Sequence, residues 1–137
     1  MLTKKTIFSV TIVAFAFAAS AFIQAYDLPK SIERGKEAYT TYCQNCHQAD
    51  GKGVAGAFPP LAKSDFLKKP VKALIDNILL GQSGEFVVNG QKYNGVMPAQ
   101  NYLSNEQIAD VLNYVRNSWG NTSAVAVTPA QVQKARP

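Results

Sequence analysis

Cys43-Gln44-Asn45-Cys46-His47 sets two cysteines three positions apart with a histidine directly behind the second, and the chain holds no other cysteine or histidine. At this spacing both thiols face one side of a tight turn. A disulfide here would close a loop of two intervening residues, which removes little chain entropy and makes a poor staple. A thiol redox motif should sit near a βαβ pattern, and none is visible. A structural zinc centre wants four Cys or His ligands, whereas only three such residues exist, all within five positions. What remains is the attachment pattern of a c-type haem: two thioethers to the vinyl groups, with His47 placed over the iron. The chain has two methionines, one of them Met1, so a second iron-binding side chain of the usual kind would be Met97.

At 137 residues the chain has room for one sizeable core, and 47% apolar with 17% charged residues is an ordinary globular composition. Lys4 and Lys5 precede an uncharged run from Thr6 to Tyr26, the n-region and h-region of a secretory signal. Cleavage is expected after Ala21 or after Ala25. An uncleaved run of this length is borderline for a membrane anchor. Either outcome exports the remaining domain, to the periplasm in a bacterial cell. Residues 1–25 carry two of the 14 basic and none of the nine acidic side chains, which leaves a formal +3. No cluster of Lys and Arg interleaved with aromatics suggests a nucleic-acid surface.

The mature chain should begin with a helix from about Ile32 into the haem motif, capped by Ser31. Gly35 inside it costs about 1 kcal/mol relative to alanine, so its missing side chain should serve a purpose. Gly51, Gly53 and Gly56 mark a loop, and Phe58-Pro59-Pro60-Leu61 a stiff extended piece. A second helix is expected from Pro70 to Leu80, stopped by Gly81. Residues 85–93 read as a short hairpin about a type I′ Asn89-Gly90 turn, with 94–98 leading away as a loop. Ser104 and Gln107 fit a capping box. Ile108, Val111, Leu112 and Val115 then repeat at helical spacing. Residues 121–127 look like a flexible connector, and Thr128-Pro129 could start one last short helix. The expected division is 1–25 signal, 26–120 haem domain and 121–137 tail.

Over about residues 30–120 the sequence resembles the class I cytochrome c family. Gly35 and Tyr39 stand eight and four residues before Cys43, and Val111 and Tyr114 take the matching places on the last long helix. The resemblance implies an all-α fold in which the first and last helices cross closely around a covalent haem, with a short β-hairpin added before Met97. It implies that Met97, just ahead of Pro98, is the distal iron ligand. It also implies that a proline carbonyl orients His47, with Pro59 the better match and Pro60 the alternative. The hairpin departs from mitochondrial members and resembles bacterial relatives serving particular dehydrogenases, reductases or oxidases.

The expected function is an exported carrier of single electrons between a donor dehydrogenase and an acceptor oxidase or reductase, through a His47/Met97-ligated haem. One rival is a dedicated haem subunit of a larger oxidoreductase. Another is a gas-binding sensor with an open sixth position. No spare acid, base or nucleophile near the motif suggests an autonomous enzyme. Lys52, Lys63, Lys68, Lys69, Lys72 and Lys92 lie between His47 and Met97, either as a docking rim for an acidic partner or as an ordinary solvated surface.

Overall fold

The first helix starts one turn earlier than its sequence suggests. The computed structural model describes residues 26–137, so the expected signal segment lies outside them. Helix α1 spans Leu28–Tyr42. Its cap is Asp27, whose carboxylate accepts from the Lys30 N–H at 3.1 Å, and Pro29 sits in the first turn where it needs no N–H partner. Ser31, expected as the cap, lies inside the helix and is fully buried. Its hydroxyl donates to Asp110 Oδ1 at 2.5 Å, a partner 79 positions away that no local pattern announces.

Seven further elements follow. α2 is the single turn Gln44–His47, Asp65–Lys68 forms a 3₁₀ turn, and α3 runs Val71–Leu80. Strands β1 (Gln82–Val88) and β2 (Gln91–Met97) pair antiparallel, then α4 (Asn105–Val115) and α5 (Pro129–Ala135) complete the chain. The fold is mostly helical with this one small sheet among the described residues.

α1 packs on α4 through Gly35. A Cβ at that position would strike the Asp110 carbonyl and come within 2.8 Å of the Tyr114 Cβ, so only glycine permits the approach. Beside the contact, Asp110 is buried and collects Arg34 Nε at 2.6 Å, Arg34 Nη2 at 2.8 Å and the Tyr26 hydroxyl at 3.0 Å. These donors are what a buried carboxylate needs. α4 begins with the expected capping box, in which Ser104 accepts from Gln107 N–H and Gln107 reaches back to Ser104 N–H.

The hairpin is longer than its sequence suggests. Asn89 (φ 51°) and Gly90 (φ 77°) are both left-handed, as a type I′ turn requires. Pairing extends to Gln82 opposite Met97, so Met97 ends a strand instead of lying in a loop. Gln82, Ser83, Gly84, Asn94 and Gly95 carry no apolar alternation that would mark this half of the ladder in the sequence. The turn is fastened by reciprocal bonds of 2.9 Å between Asp65 and Asn89.

Residues 121–127, expected as a flexible connector, are tied down. Asn121 Nδ2 donates to the Leu61 and Val115 carbonyls, each at 2.8 Å. Asn113 accepts from Val127 N–H at 2.7 Å and donates to the Val127 carbonyl at 2.8 Å. α5 opens with its own capping box, Thr128 with Gln131. Val127 and Val132 are fully buried and belong to the same core as Tyr39, Leu74, Ile75, Ile108 and Leu112.

Candidate functional site

The last turn of α1 delivers Cys43 to the core, and its N–H still bonds to the Tyr39 carbonyl at 2.9 Å. The single turn α2 follows, with His47 N–H on the Cys43 carbonyl at 3.0 Å. Gln48 (φ 63°) then breaks the helix. The Tyr39 hydroxyl donates to the Gln48 carbonyl at 2.6 Å and so pins the far end of the motif from within α1. Burial raises the Tyr39 phenol well above its ordinary range, which keeps that donor protonated. Tyr39, Tyr114 and Trp119 pack as a triangle of rings, with centroids 4.9 to 5.4 Å apart.

The glycine loop returns the chain to His47. Gly53 (φ 65°) donates its N–H to the His47 carbonyl at 3.0 Å, and a Cβ there would strike the Phe58 and Pro59 backbone. Val54 and Phe58 bridge each other at 2.9 and 2.8 Å. This turn presents the Pro59 carbonyl 3.0 Å from His47 Nδ1. Nδ1–H donates to it, which leaves Nε2 free as a neutral lone-pair donor. Burial pushes the imidazole below its ordinary range, although the Pro59 bond pulls the other way. A neutral ring is the form that binds a metal.

Met97 reaches the same region from the end of β2. Its sulfur accepts from Asn77 Nδ2 on α3 at 3.4 Å. The sequence places Asn77 on the α3 face with Leu74 and Ile78 but gives it no role. Gln100 N–H bonds to the Ile78 carbonyl at 2.8 Å, and Gly81 leaves no room for a Cβ beside the Met97 carbonyl (2.5 Å) and the Ala99 N–H (2.8 Å), so α3 and its cap grip the backbone on either side of Pro98.

Cys43, Cys46, His47, Pro59 and Met97 all line one cleft. Leu61, Phe66, Leu67, Leu74, Ile78, Phe86, Val111, Leu112 and Val115 form its apolar walls. The two cysteines are free thiols, and burial, followed by the neighbouring Cys46, pushes Cys43 up to about 11. Ser64 also lines the cleft, and its buried hydroxyl has no hydrogen-bond partner. Although Ser64 stands at the N-cap of the 3₁₀ turn, its side chain makes no capping bond. Paired thiols, a neutral imidazole, a thioether, apolar walls and one unanswered hydroxyl fit a large, mostly apolar metal-bearing group with a polar edge.

Residues 32–119 match the Cytochrome c family. The chain is 41% identical over 102 residues to cytochrome c-552 of Thermus thermophilus, an alignment covering 69% of this chain and 78% of that protein. It is 35% identical over 115 residues to the cytochrome c subunit of a quinone alcohol dehydrogenase from Gluconacetobacter polyoxogenes, covering 74% of this chain and 22% of that subunit. It is 30% identical over 106 residues to the cytochrome c subunit of gluconate 2-dehydrogenase from Pantoea cypripedii, covering 76% and 24%. With the C-x-x-C-H turn opening onto an apolar cleft, these matches establish that the chain belongs to the cytochrome c family, electron-carrying proteins that hold haem c covalently.

Proposed function

We propose that Cys43 and Cys46 form the two thioethers and that His47 Nε2 and Met97 Sδ are the axial ligands of an exported one-electron carrier. The observation that carries this reading is the Nδ1–H bond from His47 to Pro59, which leaves Nε2 as the lone-pair nitrogen of a ring that lines the same cleft as Met97. Haem supplies a reversible one-electron couple. The chain contributes the rest: covalent retention, ligands that stay fixed in both states, and walls that exclude water. One electron arrives from a reduced donor and one leaves to an oxidised acceptor, with no bond made or broken at His47 or Met97.

The family's close crossing of first and last helices is supported by the contact between Gly35 and the Asp110 backbone. Export rests on the signal pattern of residues 1–25, and no helix among the described residues is long and apolar enough to cross a membrane. A donor dehydrogenase and an acceptor oxidase or reductase are the partners this reading requires.

The visible spectrum tests the ligation. The oxidised protein should show a weak band near the red end, characteristic of methionine on ferric iron, and the band should vanish in Met97→Ala. Its absence in the wild type, with ready CO binding to the reduced form, would instead make this a gas-binding protein with an open sixth position. A second reading, a haem subunit of a larger dehydrogenase, is favoured by the dehydrogenase subunits among the relatives. Co-purification of the native protein with a catalytic subunit would select it over a free carrier.

A further inference from the structure

Asn77 stands on the cleft-facing side of α3 as a polar residue between the apolar Leu74 and Ile78. Asparagine in a helix interior tends to bond its own backbone, and so weakens the helix. Asn77 instead points its amide across 20 positions to the Met97 sulfur, with Nδ2 3.4 Å from Sδ. A thioether is a weak acceptor with no proton to offer, so only the N–H end of the amide suits it.

We propose that Asn77 is a positioning residue that fixes the orientation of the Met97 thioether and raises the reduction potential of the site; this rests on Met97 being an axial ligand. A methionine side chain has three rotatable bonds and settles into several rotamers unless something selects one. Asn77 selects by occupying one sulfur lone pair, which leaves the other for the metal. The N–H also draws electron density from the sulfur. Less is then available for donation, and the loss falls hardest on the oxidised, more electron-demanding state. The reduced state gains relative to it. This is the sense in which a donor near a ligand tunes a metal centre.

The Met97 backbone does not depend on Asn77. It is held by the β1 ladder through Gln82, by Gln100 N–H on the Ile78 carbonyl and by the close fit of Gly81 against Ala99. Exchanging the Asn77 side chain therefore changes the contact to sulfur and leaves the segment anchored.

The test uses the holoprotein, with equilibrium potential and the red-end band measured in wild type, Asn77→Leu and Asn77→Gln. The expected result is a lower potential in Asn77→Leu, equivalent to a few-fold shift toward the oxidised form against a fixed mediator, with the band retained. Asn77→Gln keeps an amide donor and should return most of the shift. An unchanged potential in Asn77→Leu with the band present would overturn the proposal while leaving methionine ligation intact. Loss of the band already in the wild type would instead sink the ligation itself. Should Asn77→Leu fail to accumulate, NMR of the reduced wild type with labelled asparagine decides. One Asn77 amide proton should exchange slowly and lie against the Met97 methyl, and its absence would overturn the proposal.

Discussion

Replacing Gly35 by alanine sets two effects against each other at a single Cβ. Alanine favours an α-helix over glycine by about 1 kcal/mol, so an unconstrained site would be stabilised. Here the new methyl meets the Asp110 carbonyl, carbon and oxygen alike, and the Tyr114 Cβ at 2.8 Å. A backbone cannot swing aside as a side-chain tip can, and overpacking of this kind costs roughly 1–3 kcal/mol. The shift would also disturb Asp110, whose buried carboxylate depends on Ser31, Arg34 and Tyr26. Gly35→Ala should therefore lose about 2 kcal/mol of unfolding free energy, read from its denaturant midpoint. A gain would show that α1 and α4 part without cost. The sequence made Gly35 conspicuous because glycine is a poor choice inside a helix. It made Ser31 look like a cap for an equally local reason, since serine before an apolar run usually is one. Only the fold brings Asp110 to it.

Among the elements, those defined by nearby residues were the readable ones. α4 announces itself through Ser104, Gln107 and the spacing of Ile108, Val111, Leu112 and Val115. The Asn89-Gly90 turn does so through two left-handed residues. The outer half of the hairpin was invisible, because glycine and amide side chains leave no alternation to detect. α5 was only half visible: Thr128 and Pro129 mark its start, but seven residues give too short a pattern to say what it packs against. Its worth lies in Val132, fully buried in the core that holds Leu74 and Leu112. Val132→Ala removes two methyl-sized groups and leaves a cavity, for a loss of about 2 kcal/mol by denaturant unfolding. An effect near zero would mean that α5 is an appendage rather than part of the domain. The same limit applies to the candidate site. Cys43, Cys46, His47 and Met97 stand out by residue type and rarity and Tyr39 by its distance from Cys43, whereas Ser64 and Asn77 owe their places in the cleft to the fold alone.

Across the whole molecule, charge is arranged so that much of it cancels locally. Of the six lysines between His47 and Met97, Lys52 pairs with Asp50 at 3.1 Å, Lys72 with Asp76 at 2.7 Å and Lys92 with Glu85 at 2.9 Å. Such exposed pairs add little to stability. Each does present a dipole in place of a net charge, and its field fades within a Debye length of about 8 Å at physiological salt. Lys63, Lys68 and Lys69 are the remaining three, gathered around the 3₁₀ turn whose Phe66 and Leu67 line the cleft. Lys69 lies over the Phe66 ring, 4.0 Å from its centroid, where a cation keeps its charge while covering an apolar surface. If long-range attraction guides a partner to this protein, it should come from that segment and not from a complete lysine rim. Electron-transfer rates with an acidic redox partner, measured across ionic strength, separate the two. The double change Lys68→Gln and Lys69→Gln removes two net charges beside the cleft and should slow transfer several-fold at low salt while flattening the salt dependence. The double change Glu85→Gln and Lys92→Gln removes none and should leave both unchanged. Equal slowing by the two variants would mean that the hairpin itself touches the partner. No slowing by either would mean that docking rests on the apolar surface around the cleft.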